Sequence, residues 1–291
     1  MNEEFSNIFT KSKLKSKPLI LDGAMGSLLQ QKGFRSKGSA WMTYVNSESP
    51  ETIISIHKNY IEAGADIITT NTFGTNTSSA GNITVSEKEV KKAVFLAKSA
   101  VENSHIYIAG SNAPAEDCYQ KQRNLSYNEL QKNHTYHIDL LIDNGVDFVL
   151  NETQSHFDEI RIICEHCSIN NIPFVVSLYC DENLELLSGE KVEEVIKFVR
   201  EHNPLAIGIN CISPNIFSKL TENLNLENIN IGFYLNCIEG SDRTSGMICS
   251  VSPRDYGETI KDYLKLNPAF IGACCGSSPD HIREIRKLID G

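Results

Sequence analysis

The sequence lacks the features that would mark a nucleic-acid-binding, membrane or secreted protein. Its 37 acidic residues outnumber 27 basic ones, for a net charge of −10. Nucleic-acid binding would need clustered lysine and arginine, so we expect no nucleic-acid partner. No apolar run approaches the roughly 20 residues that span a bilayer, so we expect no membrane segment. The N-terminal residues include early acidic side chains and lack the apolar region of a secretory signal, which favours a cytoplasmic protein.

The sequence also lacks a Pro- or Ser-rich linker, a low-complexity stretch and a break in composition, which predicts one domain. We assign residues 1–17 to an N-terminal arm, with the basic stretch Lys11–Lys17 exposed to solvent, and residues 18–291 to the domain. The chain does contain nine cysteines. In a cytoplasmic protein these are thiols, so packing, metal binding or catalysis must account for them.

A short apolar run, a polar or glycine-containing turn and an amphipathic segment recur along the chain. Continuous apolar runs are typical of strands buried on both faces. Helical patterns lie between them: Ser49-Pro50 opens one, residues 126–144 form another, and Ser278-Pro279 opens the last. Eight such β-α units predict a (β/α)8 TIM barrel of the α/β class, with a doubly wound open sheet as the alternative. The predicted strands are Pro18–Leu21, Ala65–Thr70, His105–Ala109, Val146–Leu150, Pro173–Leu178, Leu205–Ile209, Ile231–Leu235 and Pro268–Ile271.

Thiol groups follow two of the predicted strands, at the face where barrels of this type build their active sites. Cys211 follows the sixth strand and Cys274-Cys275 follows the eighth. The adjacent pair can bind one ion only if the chain turns sharply, and the flanking Gly272 and Gly276 permit such a turn. Three thiolates supply three of the four ligands of tetrahedral zinc, and an open fourth position would admit a substrate atom. Buried packing is the alternative for each cysteine.

Six short motifs are distributed over nearly the whole chain: Leu21-Asp-Gly-Ala-Met-Gly26, Glu62-Ala-Gly-Ala-Asp66, Thr70-Asn-Thr-Phe-Gly-Thr-Asn76, Glu152-Thr-Gln154, Gly208-Ile-Asn-Cys211 and Gly272-Ala-Cys-Cys-Gly276. In these motifs and their order the chain resembles the homocysteine S-methyltransferase family. That family includes betaine–homocysteine methyltransferase and the homocysteine domain of cobalamin-dependent methionine synthase. The pairing of Gly-x-Asn-Cys with Cys-Cys-Gly is the most specific part of the resemblance.

The resemblance implies that the protein binds Zn²⁺ and transfers a methyl group to the zinc-bound thiolate of homocysteine, which gives methionine. A free thiol with a pKa of about 8.5 is mostly protonated at pH 7, and zinc coordination lowers that pKa. The implied zinc ligands are Cys211, Cys274 and Cys275, and Glu152 is the implied catalytic residue, which receives the substrate ammonium group.

Further strand-end residues are predicted to bind the amino acid. For each of them a structural role at the barrel rim or in a turn is the alternative. These predicted substrate-binding residues are Asp22, Gly23, Asn71, Thr72 and Asn236, together with Glu152.

The methyl donor stays open between S-methylmethionine, S-adenosylmethionine, betaine and a methyl-corrinoid protein. One alternative function is a stand-alone homocysteine module that works with a separate corrinoid protein. A non-catalytic zinc-binding barrel is the other. Two positions depart from the family pattern: Ala273 replaces the second glycine of the usual Gly-Gly-Cys-Cys-Gly, and Ala113 stands before Pro114 where the family has glycine.

Other chemically reactive side chains are interpreted as packing. A Cys-x-x-Cys pair in a helical pattern has no second pair to complete a metal site. The histidines are possible bases, yet a preformed thiolate needs little proton abstraction. These residues are Cys164, Cys167, Cys180, Cys237, His134, His137 and His156.

Overall fold

Eight parallel strands surround the molecular axis, with helices outside them, as the sequence predicts. The computed structural model describes residues 7–10, 17–102, 105–237 and 250–291. The strands pair in the order β1-β8-β7-β6-β5-β4-β3-β2. They are β1 (Leu19–Ile20), β2 (Ile67–Thr69), β3 (Tyr107–Asn112), β4 (Phe148–Gln154), β5 (Phe174–Leu178), β6 (Ala206–Asn210), β7 (Ile231–Leu235) and β8 (Phe270–Ala273).

The first and second strands close the barrel. The Asp22 N–H donates to the Ile67 carbonyl at 2.9 Å, and the Asp66 N–H donates to the Ile20 carbonyl at 2.7 Å. On its other side β1 pairs in parallel with β8. A doubly wound sheet would leave open edges and reverse its strand order, so the (β/α)8 barrel is confirmed.

Local signals fix where the helices begin. Ser126 and Glu129 form a capping box, while Pro50 and Pro279 occupy first-turn positions where a missing N–H costs nothing.

No helix in the described part of the chain has the length and apolar character needed to cross a membrane. The α-helices are α1 (Met25–Gln31), α2 (Val45–Glu48), α3 (Pro50–Glu62), α4 (Thr77–Ala80), α5 (Ile83–Val101), α6 (Tyr127–Asp143), α7 (Phe157–Ile169), α8 (Val192–Glu201), α9 (Pro214–Asn223), α10 (Pro253–Lys261) and α11 (Pro279–Asp290), with 3₁₀ turns at Gly38–Ala40 and Asp262–Leu266.

Part of the predicted N-terminal arm fills the amino-terminal end of the barrel. Phe9 is buried, and its ring lies 5.7 Å from that of Phe148 and 5.4 Å from that of Phe270. The Asn7 side chain donates to the Leu205 carbonyl at 2.7 Å. These aromatic contacts close the barrel at the end opposite the carboxyl ends of the strands. Residues 11–16 of the basic stretch lie outside the described residues, and the domain boundary at residue 17 stays a prediction.

Candidate metal centre and substrate cavity

A cavity of about 610 Å³ opens at the carboxyl ends of the strands, and this volume is typical of small-molecule sites. Strand ends provide its inner wall, and residues within 36–41 and 114–119 provide its outer wall. The cavity brings together most of the predicted site residues. Those that line it are Asp22, Gly23, Asn71, Glu152, Cys211, Cys274 and Cys275.

Three thiols converge at the inner end of this cavity. The Cys211 Sγ lies 2.6 Å from the Cys274 Sγ and 3.8 Å from the Cys275 Sγ, and the sulfurs of the adjacent pair are 4.0 Å apart. Cys211 and Cys274 also belong to the buried cluster inside the barrel. Among the described residues, this is the one group of three or more metal-ligating side chains close enough to share an ion.

The backbone holds these sulfurs in place. Cys274 donates its N–H to the Leu235 carbonyl at 2.8 Å, and the Cys275 carbonyl accepts from Cys237 N–H at 2.9 Å. Gly276 then adopts a φ of 86°, which favours glycine and lets the chain turn directly after the pair. Gly272, which the sequence also predicted to permit this turn, has a different role. A Cβ there would approach the Leu21 Cβ to 3.0 Å, so the glycine allows β8 to pack closely on β1.

The sulfur spacing fits three corners of a zinc site. Tetrahedral bonds of about 2.3 Å place neighbouring sulfurs about 3.8 Å apart. Two of the three observed separations, 3.8 and 4.0 Å, match this length, and the 2.6 Å separation would open by roughly 1 Å around an ion. The chemistry of the three groups also favours a cation. Hydrogen bonds with the Cys211 and Cys275 sulfurs raise the pKa of the Cys274 thiol, and burial and the charge of neighbouring thiolates add to this rise.

Glu152 reaches the cavity through an irregularity in β4. The pairing of β4 with β5 shifts register between Asn151 and Gln154, and Thr153 has a φ of 57°. The side chain of Asn210 secures this bulge: its Oδ1 accepts from the Thr153 N–H at 3.0 Å, and its Nδ2 donates to the Thr153 Oγ1 at 2.8 Å. Bulges commonly redirect a side chain, and here the neighbouring Glu152 lines the cavity.

The environment of Glu152 disfavours its charged form. Ser111 Oγ donates to Glu152 Oε1. Burial raises the pKa of the Glu152 carboxyl to about 7, with a further contribution from Cys211, and the Ser111 bond partly opposes this rise. A cation bound beside the carboxyl group would favour its ionised form.

Asp22 and Gly23 occupy the rim where β1 meets β2. The Asp22 carboxylate accepts from Thr69 N–H at 2.9 Å and from Thr69 Oγ1 at 2.5 Å. Burial raises its pKa to about 8, although the Thr69 bonds act in the opposite direction. A Cβ at Gly23 would meet Ser277 Oγ at 2.7 Å and the Tyr60 ring at 2.8 Å, so a larger residue would force one of these side chains to move.

Of the three remaining residues predicted to bind substrate, one lines the cavity and two lie behind its wall. Asn71 lines the cavity, and its amide donates to the Asn46 Oδ1 at 2.9 Å. Thr72 lies behind the wall, where its hydroxyl donates to the Ser111 carbonyl at 2.7 Å. The Asn236 amide donates to the Cys211 carbonyl at 2.9 Å. In the described part of the chain, Thr72 and Asn236 are therefore wall supports rather than lining residues.

Sequence reasoning missed three side chains that shape the site: Ser111, Asn210 and Tyr234. Tyr234 lies within the apolar run of β7, so it looked like an ordinary core residue, yet it lines the cavity. Strand alternation was the available signal, because Tyr234 shares its face of β7 with the interior-facing Gly232. Asn210 stands inside the Gly-Ile-Asn-Cys motif, but its partner Thr153 is 57 residues away.

The residues interpreted as packing lie away from the cavity lining. The four cysteines of this set are fully buried, and burial raises the pKa of Cys164 and Cys167. His134 and His137 are buried against Asn112, and His156 contacts the Lys121 carbonyl at 3.2 Å. None of these histidines lines the cavity within the described residues.

A family model for homocysteine S-methyltransferases matches residues 19–289, which is nearly the whole chain. The chain belongs to this family. It is therefore a methyltransferase of the homocysteine S-methyltransferase type, as the six motifs predict. The two departures from the family pattern cause no backbone strain, because neither Ala113 nor Ala273 has a positive φ.

Solved structures show the same fold. The chain is similar to the metallated form of the homocysteine methyltransferase MmuM from Escherichia coli, with a TM-score of 0.78 and 23% identity over 96% of this chain and 99% of that one. The oxidized form gives a TM-score of 0.77 with the same identity and coverage. The apo form gives 0.71, also at 23% identity, over 94% of this chain and 96% of that one.

Proposed function

We propose that this family member is a zinc-dependent enzyme that methylates the sulfur of homocysteine to give methionine. The observation that carries the proposal is the convergence of three thiols and a partly buried carboxyl group, that of Glu152, on one cavity. Thiolates suit a zinc ion, and a carboxylate suits an ammonium group. An amino acid with a thiol side chain presents both complementary groups.

Cys211, Cys274 and Cys275 would hold the metal and leave its fourth position for substrate. When bound, Zn²⁺ would lower the pKa of the substrate thiol and fix its sulfur in place. A similar solved structure is described as a metallated form, which supports a metal in this fold. The non-catalytic zinc barrel is less consistent with the site, since a purely structural metal does not require a carboxyl group on the same cavity.

Glu152 would receive the ammonium group of homocysteine, with Asp22, Gly23 and Asn71 forming the adjoining wall. Thr72 and Asn236 would position this wall through their bonds to Ser111 and Cys211. The homocysteine sulfur attacks the donor methyl carbon: the new sulfur–carbon bond forms as the methyl–donor bond breaks, and its electron pair leaves with the donor.

The side chains of the outer wall support a choice of methyl donor. Trp41 and Tyr119 contribute aromatic rings there, with Phe73 beside them in the cavity lining, and Asp117 contributes a carboxyl group. Aromatic faces and carboxylates attract cations, so this wall favours a small cationic donor such as S-methylmethionine or S-adenosylmethionine, or the quaternary ammonium of betaine. A separate methyl-corrinoid protein is the alternative donor.

The proposal is tested by metal content and turnover of the purified protein. We expect about one zinc per chain in wild type and near-complete loss in Cys211→Ala, because two thiolates hold zinc poorly. Cys180→Ala is the matched control, since Cys180 is a fully buried cysteine outside the cluster. It should retain the metal.

Turnover is then measured with homocysteine and each of the three small donors. Methionine formation with any of them would reject the need for a corrinoid partner. Full, tightly held zinc in Cys211→Ala would reject the metal site. Zinc whose sulfur coordination does not change when homocysteine is added would favour the non-catalytic barrel.

A further inference from the structure

The loop that joins β3 to α6 carries part of the outer wall of the cavity. It has no helix or strand of its own, and we call its residues 114–125 the wall loop. A surface loop without regular structure keeps one position only if side chains hold it, so the contacts of the wall loop decide where the wall stands. The wall-loop residues that line the cavity are Pro114, Glu116, Asp117, Cys118 and Tyr119.

Glu116 closes the wall loop on itself. Its carboxylate accepts from the Asn124 N–H at 2.9 Å, from the Leu125 N–H at 3.1 Å and from the Asn124 side-chain amide at 3.0 Å. These bonds bring the two ends of the loop together, as in compact Ω-loops. They fix the shape of the loop but do not attach it to the barrel.

Arg123 attaches the closed loop to the first turn of α7. Its Nη1 lies 2.8 Å from Glu159 Oε1, and its Nη2 pairs with the carboxylate of Asp158, the preceding residue of the helix. The Glu159 side chain is fully buried, and that of Arg123 is 11% exposed. The same Glu159 oxygen accepts from the Ala115 N–H at 3.3 Å, at the other end of the loop. One buried carboxylate therefore holds both ends of the wall loop.

The chemistry of the pair suits this task. Removal of one member of a buried ion pair leaves the other charge unpaired at high cost, so the pair resists opening. The planar fork of arginine can face two carboxylates at once, whereas lysine offers a single point charge. Within the described residues, neither Arg123 nor Glu159 lines the cavity, so each can influence a ligand only through the loop.

We propose that the Arg123–Glu159 pair is a clamp that sets the position of the wall loop against the methyl donor. Both side chains are then positioning residues for the donor half of the cavity. The homocysteine half is independent of the clamp, because Glu152 and the three thiols lie on the strands or directly after them. This inference rests on the proposed function and deepens it.

The kinetic test compares Arg123→Ala with wild type in the zinc-loaded protein. Methionine formation is measured with S-methylmethionine, S-adenosylmethionine and betaine as separate donors, and homocysteine binding is measured by calorimetric titration. We expect the donor KM to rise about tenfold, because a wall displaced by about 1 Å orients the donor poorly. The rise is partial, since the Tyr119 ring still packs 5.2 Å from the Tyr179 ring. The homocysteine Kd should stay within about twofold, and zinc content should not change.

Hydrogen exchange of the unliganded protein tests the clamp without any donor. The Ala115, Asn124 and Leu125 N–H groups are bonded to Glu159 or Glu116 in the closed loop. In Arg123→Ala we expect peptides that cover 114–125 to exchange about tenfold faster or more, because the loop opens locally. Peptides that cover β6 and β8 should exchange as in wild type.

Two further variants complete the comparison. Arg286→Ala is the matched control, because Arg286 likewise pairs with a carboxylate, Asp66 at 2.7 Å, and donates to the Gly64 carbonyl at 2.6 Å, beside the start of β2. It should leave the donor KM and the exchange of 114–125 unchanged. Arg123→Lys keeps one charge beside Glu159 and should raise the donor KM only about threefold. If Arg123→Ala does not fold, Arg123→Lys carries the same test.

Unchanged exchange of 114–125 in both Arg123 variants would reject the clamp. Equal losses of donor and homocysteine binding, or an equal rise of the donor KM in Arg286→Ala, would show a general effect on the fold and overturn the positioning role. A wild-type protein that uses none of the three donors would reject the proposed choice of donor and the donor role of the clamp with it. That failure is distinct, because the exchange measurement reads the clamp itself.

Discussion

Glu152 and Asp22 share one cavity but differ in how fully their oxygens are used. Both Asp22 oxygens accept from Thr69, whereas the hydrogen bond from Ser111 engages only Oε1 of Glu152. Burial raises both pKa values, to about 8 for Asp22 and about 7 for Glu152. The carboxyl group with a free oxygen is better suited to receive substrate, and the other is better suited to tie β1 to β2.

Replacing the Glu152 carboxylate by an amide therefore tests its role directly. We expect Glu152→Gln to raise the KM for homocysteine about ten- to hundredfold, because a charge-assisted contact to the ammonium is lost. Zinc content should not change. Steady-state kinetics with varied homocysteine provide the measurement.

Glu89→Gln is the control for this substitution. Glu89 is another buried carboxylate that accepts from a serine, Ser47 Oγ at 2.9 Å, but it lies outside the cavity. A similar rise in KM in both variants would show that Glu152 acts through the fold rather than through substrate.

At the residue scale, the motif positions were predictable and their supports were not. Cysteines and a carboxylate at strand ends stand out because apolar residues are expected inside a barrel. Tyr234 does not stand out, since a tyrosine in an apolar run is an ordinary core residue. Its place on the cavity wall follows from its position at the carboxyl end of β7, which the apolar pattern does not mark.

The bulge in β4 is the element that carries Glu152 into the site. Asn210, at the end of β6, holds the bulge across the intervening strand β5 and also accepts from Ser177. We expect Asn210→Ala to lower the free energy of unfolding by about 2–3 kcal/mol, because buried donors lose their acceptor. Homocysteine affinity should fall as well, since Glu152 loses its fixed position. Urea denaturation and calorimetric titration measure the two effects.

The control variant Asn133→Ala separates an effect on protein stability from an effect on the position of Glu152. Asn133 is buried, and its Oδ1 likewise accepts from a hydroxyl and a backbone N–H, those of Thr77 and Ser78, away from the cavity. It should lose comparable stability and keep homocysteine affinity. Equal affinity in both variants would mean that the bulge does not position Glu152.

The elements were predicted better at their centres than at their carboxyl ends. The fourth strand was expected to end at Leu150, and it continues to Gln154. The apolar pattern stops early because the last residues of this strand face a polar cavity or its polar supports. By contrast, α3 and α11 begin where the Ser-Pro pairs predict, and α6 begins at the start of the predicted segment 126–144.

The acid stability of the whole molecule depends on buried neutral histidines. His57 is fully buried, neither ring nitrogen has a partner, and burial lowers its pKa from 6.5 to about 4. Above pH 6.5 the folded and unfolded chains are both neutral at this site. As pH falls from 6.5 toward 4, only the unfolded chain takes up the proton, so the folded state loses stability.

We expect His57→Leu to raise the free energy of unfolding at pH 7 by about 1–3 kcal/mol, since an unsatisfied ring is removed. Between pH 7 and pH 5 the variant should also avoid a loss of about 2 kcal/mol. The variant keeps the loss of stability in acid that His137 causes, because burial lowers the pKa of His137 to about 3. Urea unfolding at both pH values is the measurement, and parallel behaviour of variant and wild type would contradict the account.

At the scale of the whole molecule, the barrel was predictable because eight apolar runs and the turns between them admit few topologies. The outer wall of the cavity was not. Its residues, within 36–41 and 114–119, come from loops with no periodic pattern, and they meet only because the barrel closes.

The Phe9 ring at the amino-terminal end of the barrel has a consequence for the order of events in catalysis. With that end filled, the described chain leaves both reactants a shared route through the carboxyl-terminal mouth. The thiols lie innermost, so under the proposed function homocysteine would enter before the donor. The spent donor would then leave before methionine, and the enzyme is expected to follow a compulsory-order sequence.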